Sequence, residues 1–336
     1  MPDAIDPAER IERLLDKAEP RLARSFRQAI ERLRGRLDLK VVADLLLASD
    51  FEAVLALTQD VSRELGAAVN LEFFTAGQDT ARFLQGLDLG TIVFDQVNAR
   101  AVAAMQASTL RLIREYDEEQ RAATRLALLD GIARGVGPAD QARAFRDSIG
   151  ITERQQAAVI NYRRLLEGTA AEQREALTRE LRDRRHDRTV QRSIRTERPL
   201  TPAQVDKMVE RYAARYVKYR SNVIARTEAL RSVHQGVEEA YEQAIEAGVL
   251  QADQLERAWD SSRDTRVRRT HRALHGQKRR WKETWTTPNG TLRYPGDPDA
   301  PAEETIQCRC LLTTRIRLAN DNVRPGLRKA WVCEAA

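Results

Sequence analysis

Apolar residues recur at steps of three and four along the first forty residues, and this helical period constrains the fold more than any other feature. The stripe consists of Ile11, Leu15, Ala18, Leu22, Phe26, Ile30, Leu33 and Leu37. Asp6 and Pro7 precede it as a capping acid and a proline at the first helical position, and Glu9 completes a capping-box pattern. Pro20 predicts a kink or a split. We therefore expect a charged amphipathic helix that lies against either the rest of the chain or a partner subunit.

The composition extends this helical prediction to most of the chain. Apolar residues make up 42% of the 336 residues, which is enough for a packed core, and charged residues make up 32%. Aromatic residues reach only 5%, and glycine and proline are sparse. This balance favours long helices with solvated faces over a sandwich or barrel rich in turns.

Capping signals divide the central part of the chain into helices. The pattern between Val41 and Gln85 is helical, with breaks expected near Asp50 and Gly66. Asp95 is expected to begin a long helix that reaches about Ala133.

Three further helix starts follow, two before the segment 170–195 and one after it. Gly135–Pro138 is a stop followed by a proline start, and the short helix after it is expected to end at Gly150. Thr152 and Gln155 form a capping-box pair for a helix that closes at Gly168. The segment 170–195 is charged, helical and poor in large apolar residues, so we interpret it as an exposed connector.

The last of these starts opens the longest helical pattern. Thr201 and Pro202 begin it, and it runs to Gly248. This is long for an uncapped globular helix, so we expect a break near Tyr219–Asn222.

The sequence pattern changes after Gly248 from a helical period to turn signals and alternation, which indicates strands. Pro288-Asn289-Gly290 is a turn signal between two strand-like segments, 280–286 and 291–294, and 308–318 alternates as a third strand. We therefore predict a mainly α protein: a long helical N-terminal region followed by a small α+β C-terminal module with a short antiparallel sheet. The predicted segments are a helical arm (1–90), a helical middle region and connector (91–200), the C-terminal module (201–318) and a tail (319–336).

Positive charge is concentrated in two places. Between Arg257 and Lys282 there are ten Lys or Arg and two Asp, a net charge of +8 in 26 residues, and Leu181–Leu200 has seven Arg and three acids. Such patches suit an anionic partner such as nucleic acid, because neutralised phosphates release counterions. Arginine-rich helix faces that simply stay solvated are the alternative. The candidate nucleic-acid contacts are Arg263, Arg266, Arg268, Arg269, Arg272, Lys278, Arg279 and Arg280.

Cysteine usage and the N-terminus bear on the compartment. Three cysteines are an odd number, which argues against a secreted disulfide scaffold. The N-terminus lacks the basic-then-apolar pattern of a signal peptide, and no apolar run approaches the ~20 residues that span a bilayer. We expect the chain to fold in a reducing cytoplasm.

Two pairs of residues have the chemistry of metal ligands. His271 and His275 are four apart in a helical segment, so both rings would project from one face. Cys308 and Cys310 are two apart in the predicted strand and would also share a face. Two His and two Cys are a usual ligand set of a closed structural zinc site, so zinc is the candidate cofactor. Buried small hydrophobes, or a thiol pair without metal, are the alternatives.

Arg226 and Glu228 form a third candidate set. They are two apart on a helix and cannot face each other, so each must find a partner elsewhere. We expect a buried structural ion network that includes Asp264, with Asp260 and Arg266 as further candidates.

Several of these residues together resemble the phage Mu-F-like head-morphogenesis family of minor head proteins. The order and spacing match over roughly residues 219–317. The residues that carry the resemblance are Ile224–Glu228, Gly248, Trp259, Asp264–His271, Leu274–Gly276, Tyr294–Pro298 and Cys308–Cys310. Phe94-Asp95, the helix entry at 137–150 and Asn161–Arg163 are also similar to minor head proteins of this type. Relatives often have Asp at the position of His275, which weakens His275 as a ligand and leaves a three-coordinate site open. They can have Cys at the position of His271, which is what interchangeable metal ligands would look like.

The resemblance implies a low-copy virion protein that is not an enzyme. Such a protein associates with the portal vertex, lies inside or near the capsid, and acts in head assembly and in DNA packaging or ejection. The implied partners are the portal protein, the double-stranded genome and, as a further candidate, the major capsid protein. The implied location is the capsid interior or portal vertex, with the host cytoplasm during assembly.

Two other functions stay open at this point. A metal-dependent nuclease would use His271 as a base or ligand beside Asp260 or Asp264, and it needs an open metal position. A sequence-tolerant DNA-binding protein with no place in a virion would share the basic patches.

Overall fold

The computed structural model describes residues 6–58, 60–87 and 89–317. It is mainly helical, with a small C-terminal module of antiparallel strands, as predicted. The helices are α1 (Pro7–Arg36), α2 (Leu39–Leu47), α3 (Phe51–Ala56), α4 (Asp60–Gln85), α5 (Ala99–Ala133), α6 (Pro138–Ser148), α7 (Glu153–Glu167), α8 (Ala170–Ala176), α9 (Asp187–Thr196), α10 (Pro202–Glu246), α11 (Arg269–Leu274) and α12 (Ala302–Thr305). None of these helices has the length and apolar character that crossing a membrane requires.

The chain forms two compact units, and each is assembled from separate stretches of sequence. The first contains the described residues of Met1–Arg24, Gly66–Leu110 and Asn222–Ala336, and the second contains Ser25–Leu65 and Arg111–Ser221. The chain passes from one unit to the other within α1, α4, α5 and α10. The segments predicted from the sequence are contiguous, whereas these units are not. The predicted tail at 319–336 lies outside the described residues.

The first helix begins where its capping signal predicts. The amide of Ala8 donates to Oδ1 of Asp6 at 2.8 Å, and α1 starts at Pro7. Most of the apolar stripe is buried, including Phe26 and Ile30. Of the two outcomes predicted for Pro20, a kink or a split, the split is absent, because α1 continues through this residue to Arg36.

Two other predicted breaks are also absent. Gly66 lies inside α4, where a Cβ would stand 2.7 Å from Cγ2 of Thr109 on α5, so this glycine permits close helix packing and does not end a helix. Tyr219–Asn222 lies inside α10, which runs unbroken for 45 residues. That segment has neither glycine nor proline to interrupt the helix.

The other helix starts fall close to the predicted positions. The capping box of Thr152 and Gln155 is present and opens α7. Asp50 caps α3. The long central helix starts four residues later than predicted, because the side chain of Asn98, and not that of Asp95, accepts from the amide of Arg100 at 2.9 Å.

The second unit is held partly by a buried polar set around Gln120 of α5. Its Nε2 donates to the carbonyl of Ser148 at 3.1 Å, and its Oε1 accepts from the amide of Gly150 at 2.7 Å. Gln120, Thr124 and Ser148 are fully buried. These bonds satisfy the backbone where α6 ends.

The described part of the C-terminal module after α10, residues 247–317, belongs to the first unit and contains two small antiparallel sheets. The strands are β1 (Leu255–Asp260), β2 (Lys278–Arg280), β3 (Trp285–Thr287), β4 (Gly290–Leu292) and β5 (Leu311–Ile316). The first sheet has the order β2-β1-β5, and β3 pairs with β4 across the predicted Asn289-Gly290 turn. Along β1, Arg257 and Trp259 face inward and are buried, while Glu256 and Ala258 face outward.

Candidate metal centre and basic surface

A short helix and a turn of the C-terminal module bring a histidine and two cysteines together. His271 lies on α11, and both cysteines precede β5. The prediction that the cysteines lie within the strand is wrong, because β5 begins at Leu311. Gln307 has a positive φ of 55°, and the amide of Cys308 donates to the carbonyl of Thr305 at 3.2 Å. A turn, and not strand alternation, therefore directs the sulfurs toward His271.

The three side chains form a compact and buried cluster. The Nδ1 atom of His271 lies 3.3 Å from Sγ of Cys308 and 3.5 Å from Sγ of Cys310. One ligand atom from each residue lies within 4.8 Å of the others. The three residues are at most 2% exposed. Trp259 packs edge-on against the imidazole, with a ring separation of 5.1 Å.

Glu304 of α12 completes this cluster and was not among the predicted site residues. Its Oε2 lies 2.9 Å from Nε2 of His271, although the alignment is not that of a linear hydrogen bond. Its side chain is fully buried. The carboxylate accepts hydrogen bonds from Oγ1 of Thr270 at 2.9 Å and from Nδ2 of Asn289 at 2.8 Å. The only sequence signal is a glutamate four residues before Cys308, which is too common to be read alone.

The ionisation of the cluster follows from these contacts. A hydrogen bond with Cys310, followed by contacts with His271, holds the pKa of Cys308 well below its usual range. The same interaction with Cys308, together with burial, raises the pKa of Cys310. Burial alone would raise the pKa of Glu304, but hydrogen bonds from Thr270, Thr287 and Asn289 lower it overall. The contacts therefore favour a charged carboxylate behind the imidazole and one thiolate in front of it.

His275, the fourth predicted ligand, lies apart from the cluster. It follows the end of α11 as the C-terminal capping residue and so does not share a helical face with His271. Its Nδ1 lies 3.2 Å from Oδ1 of Asp260 and accepts from the amide of Ser261 at 3.2 Å. The structure thus gathers three of the four predicted ligands and directs the fourth toward a different carboxylate.

The predicted ion network is instead three separate pairs. Arg226 makes a bidentate pair with Glu19 of α1, in which Nε donates to Oε1 at 3.2 Å and Nη2 donates to Oε2 at 2.9 Å. Glu228 accepts from Arg231, one helical turn away, at 2.7 Å. These pairs do not include Asp264.

The third pair bears on the nuclease alternative. Asp264 lies 2.6 Å from Nη1 of Arg309, and Asp260 faces His275. The carboxylate beside His271 is therefore Glu304 and neither predicted aspartate. The geometry does not support the predicted pairing of His271 with those acids.

The eight candidate nucleic-acid contacts fall into two groups. Five lie on α11 or the loop before it, namely Arg263, Arg266, Arg268, Arg269 and Arg272. Of these, Arg268 donates to the carbonyl of Ile306. The other three, Lys278, Arg279 and Arg280, form β2. Arg279 is half-buried and donates to the carbonyls of Thr284 and Lys278, so it is held by the module itself.

The outer face of the three-stranded sheet carries positive charge that the sequence prediction included only in part. Glu256 of β1 lies opposite Arg280 of β2 on one side and opposite Arg315 of β5 on the other. Nζ of Lys278 lies 2.8 Å from Oε1 of Glu256, and Arg317 forms an ion pair with the same carboxylate. Four cations thus surround one carboxylate. We call these five residues the outer sheet face; Arg315 and Arg317 could have been found only by assigning the register of β5.

Comparison with known proteins gives one family match. Residues 172–313 match the family described as Phage Mu protein F like protein. The matched region contains the whole His-Cys cluster, Glu304 and β2, and it confirms the resemblance seen in the sequence. No curated protein and no solved structure matches this chain significantly.

Over the matched region the chain is similar to a bacteriophage protein family, and this similarity suggests a phage head-related protein associated with the virion. It covers 142 residues, because 313 − 172 + 1 = 142, out of 336. The first 171 residues lie outside it, so their role rests on the structure alone.

Proposed function

We propose that this chain is a minor head protein of a tailed bacteriophage that associates with the portal vertex and acts in head assembly and in DNA packaging or ejection. The observation that carries the proposal is the family match over residues 172–313. The proposed partners are the portal protein and packaged double-stranded DNA, with the major capsid protein as a further candidate. The proposed location is the capsid interior or portal vertex.

The charge distribution of the C-terminal module supports contact with DNA. The outer sheet face presents four cations around one carboxylate, and the exposed guanidinium groups of Arg263, Arg266 and Arg269 add to the positive charge of the same module. The helix among these basic residues, α11, spans only six residues, which is short for a recognition helix that reads base edges. We therefore propose sequence-independent binding to the phosphate backbone, which needs only cations at the surface.

Two measurements test the proposed location and partner. Mass spectrometry of nuclease-treated, purified phage particles should detect the chain at low copy number. Co-expression with the portal protein of the same phage, followed by size exclusion and native mass spectrometry, should give a complex of fixed stoichiometry. A chain that is absent from particles and separates from the portal protein would contradict the proposal and favour a DNA-binding protein that acts outside the virion.

A further inference from the structure

The spacing of the His-Cys cluster matches that of a tetrahedral metal site. Zinc bonds of 2.0–2.3 Å to nitrogen and sulfur place neighbouring ligands roughly 3.3–3.8 Å apart at the corners of a tetrahedron. The separations of Nδ1 of His271 from the two sulfurs are 3.3 and 3.5 Å. Two thiolates and one imidazole are also the donors that zinc prefers over magnesium or calcium.

The position of Glu304 favours a metal over a purely hydrophobic role for the cysteines. A histidine that binds a metal through one ring nitrogen commonly presents its other ring N–H to a carboxylate, which fixes the tautomer and the ring orientation. Here Nδ1 faces the sulfurs and Nε2 faces Glu304. A fully buried carboxylate is costly unless it is paired, and small buried thiols would not require one.

The fourth corner of the tetrahedron is the point on which the structure differs from a closed site. Among the described residues, no other His, Cys, Asp or Glu joins the three ligands within 4.8 Å. Cys308 also lines a cleft, together with polar groups that include Asp260, Ser261 and Ser262. The cleft therefore gives a water molecule or a small anion a route to one side of the cluster.

We propose that His271, Cys308 and Cys310 bind one zinc ion, that Glu304 is the positioning residue for His271, and that the fourth zinc ligand is a water molecule or anion from the cleft. His275 is not a ligand in this arrangement. The site is independent of the portal and DNA roles above, so the two proposals can fail separately.

Zinc content of the purified full-length chain is the first test. Inductively coupled plasma mass spectrometry should give about one zinc per chain, lost in Cys308→Ser and Cys310→Ser and retained in Cys333→Ser. The sharper pair is His271→Ala, which should lose the metal, against His275→Ala, which should keep it. A metal-free wild-type chain, or equal loss from the two histidine variants, would overturn the proposal.

Because variants in a buried site can unfold, a second test uses the wild-type chain. Titration with a mercurial reagent should release one zinc as two thiols react, with a third thiol of the wild type reacting without zinc release. The Cys333→Ser variant should release the same zinc and lack only the third thiol. Release of zinc without reaction of two thiols would place the metal elsewhere and overturn the ligand assignment.

Cobalt substitution tests the open position and the role of Glu304. The cobalt form should show thiolate charge-transfer absorption and visible bands of tetrahedral intensity that change on addition of azide. Glu304→Gln should keep the same bands but bind cobalt about 10- to 100-fold more weakly, with Glu304→Asp restoring part of the affinity. Bands that do not respond to azide would show a closed site, and unchanged affinity in Glu304→Gln would remove the positioning role.

Discussion

The C-terminal half of α10 and the outer sheet face belong to the same compact unit and both carry charged residues, but the helix buries many of its charged side chains and the sheet face exposes most of its own. Almost every residue between Asn222 and Ala244 is buried or half-buried, although the segment contains Glu228, Arg231 and Glu239. On the outer sheet face, by contrast, the four cations are exposed. The helix is polar in composition and central in position, and the sheet face is polar and peripheral.

The difference lies in how the polar groups of the helix are satisfied. Glu239 accepts from Arg100 at 2.8 Å, and the side chain of Gln243 donates to the carbonyl of Asp95 at 3.0 Å. Buried polar groups with partners of this kind favour one arrangement of the neighbouring elements. The reason is that an unpaired buried polar group destabilises the fold by more free energy than a buried hydrogen bond contributes. Side chains on the outer sheet face can be exchanged with little structural effect. Stability should therefore depend on the helix, and binding on the sheet face.

The strongest expected effect on stability comes from a glycine of α10. A Cβ at Gly236 would lie 2.3 Å from the backbone oxygen of Phe73 and 3.1 Å from Cβ of Ala76, both on α4. Backbone cannot give way as a flexible side chain can, so Gly236→Ala should separate the two helices and destabilise the chain by about 3 kcal/mol. Urea unfolding followed by circular dichroism measures this.

Gly35 is the matched control, because it also lies in a helix but a Cβ added there would have no atom within 4 Å. Gly35→Ala should stabilise the chain by up to about 1 kcal/mol, since alanine loses less conformational freedom in a helix. Equal effects of the two substitutions would contradict the view that α10 is the tightly packed centre of its unit.

The next effect is the dependence of stability on pH through His234, also on α10. Its Nδ1 lies 2.9 Å from the carbonyl oxygen of Leu230, and its Nε2 accepts from the amide of Leu312 on β5 at 2.9 Å. Burial lowers the pKa of His234 to about 4. The neutral imidazole thus links α10 to the sheet, and a proton on Nε2 would remove this acceptor.

The sign follows from the lowered pKa. Above pH ~6.5, where the histidine of the unfolded chain is neutral, neutral His234 makes its full contribution to the free energy of unfolding. This contribution, about 3 kcal/mol in total, is lost as the pH falls from about 6.5 to about 4. Burial raises the pKa of Glu238 to about 7, and this group stabilises the fold in the opposite direction, as the pH falls. The measurement must therefore be the difference between the wild type and His234→Gln. That difference should shrink between about pH 7 and about pH 4.5, and a constant difference would contradict the role of His234.

How far the sequence predicted these regions depended on whether the signal was local. Caps at Asp6 and Thr152 were predicted correctly because each involves residues within one turn. The break predicted at Tyr219–Asn222 was wrong because it was based on helix length alone, and this segment has neither glycine nor proline. The break predicted at Gly66 was wrong because this glycine permits close packing against Thr109, and the local sequence pattern does not show this contact.

The candidate site shows the same limit. His271, Cys308 and Cys310 were found because few residues of these types occur in the chain. His275 was included because the sequence does not show that α11 ends at Leu274. Glu304 was missed because its role depends on the distance of 2.9 Å between its Oε2 and Nε2 of His271. The spacing of the two residues in the sequence does not show this contact.

The smallest expected effect on stability, and the largest on binding, comes from the outer sheet face. Arg280→Ala with Arg315→Ala removes two exposed cations that lie on either side of Glu256. The free energy of unfolding should change by less than about 0.5 kcal/mol, because surface charges contribute little to stability. The slope of log K against log salt for a DNA duplex should fall in magnitude by up to about 1.8, from two lost phosphate contacts at about 0.9 each.

The second basic segment provides a control with the same change in net charge. Arg192 and Arg195 lie exposed on α9, so replacing both by alanine removes two positive charges from the other compact unit. The salt slope should stay at the wild-type value in this variant if DNA binds the C-terminal module. If both double variants lower the slope equally, DNA responds to the overall charge of the protein, and the contrast between a structural helix and a binding face no longer holds. A slope that falls only in the sheet variant, with unfolding unchanged, would assign the surface to the phosphate backbone of DNA.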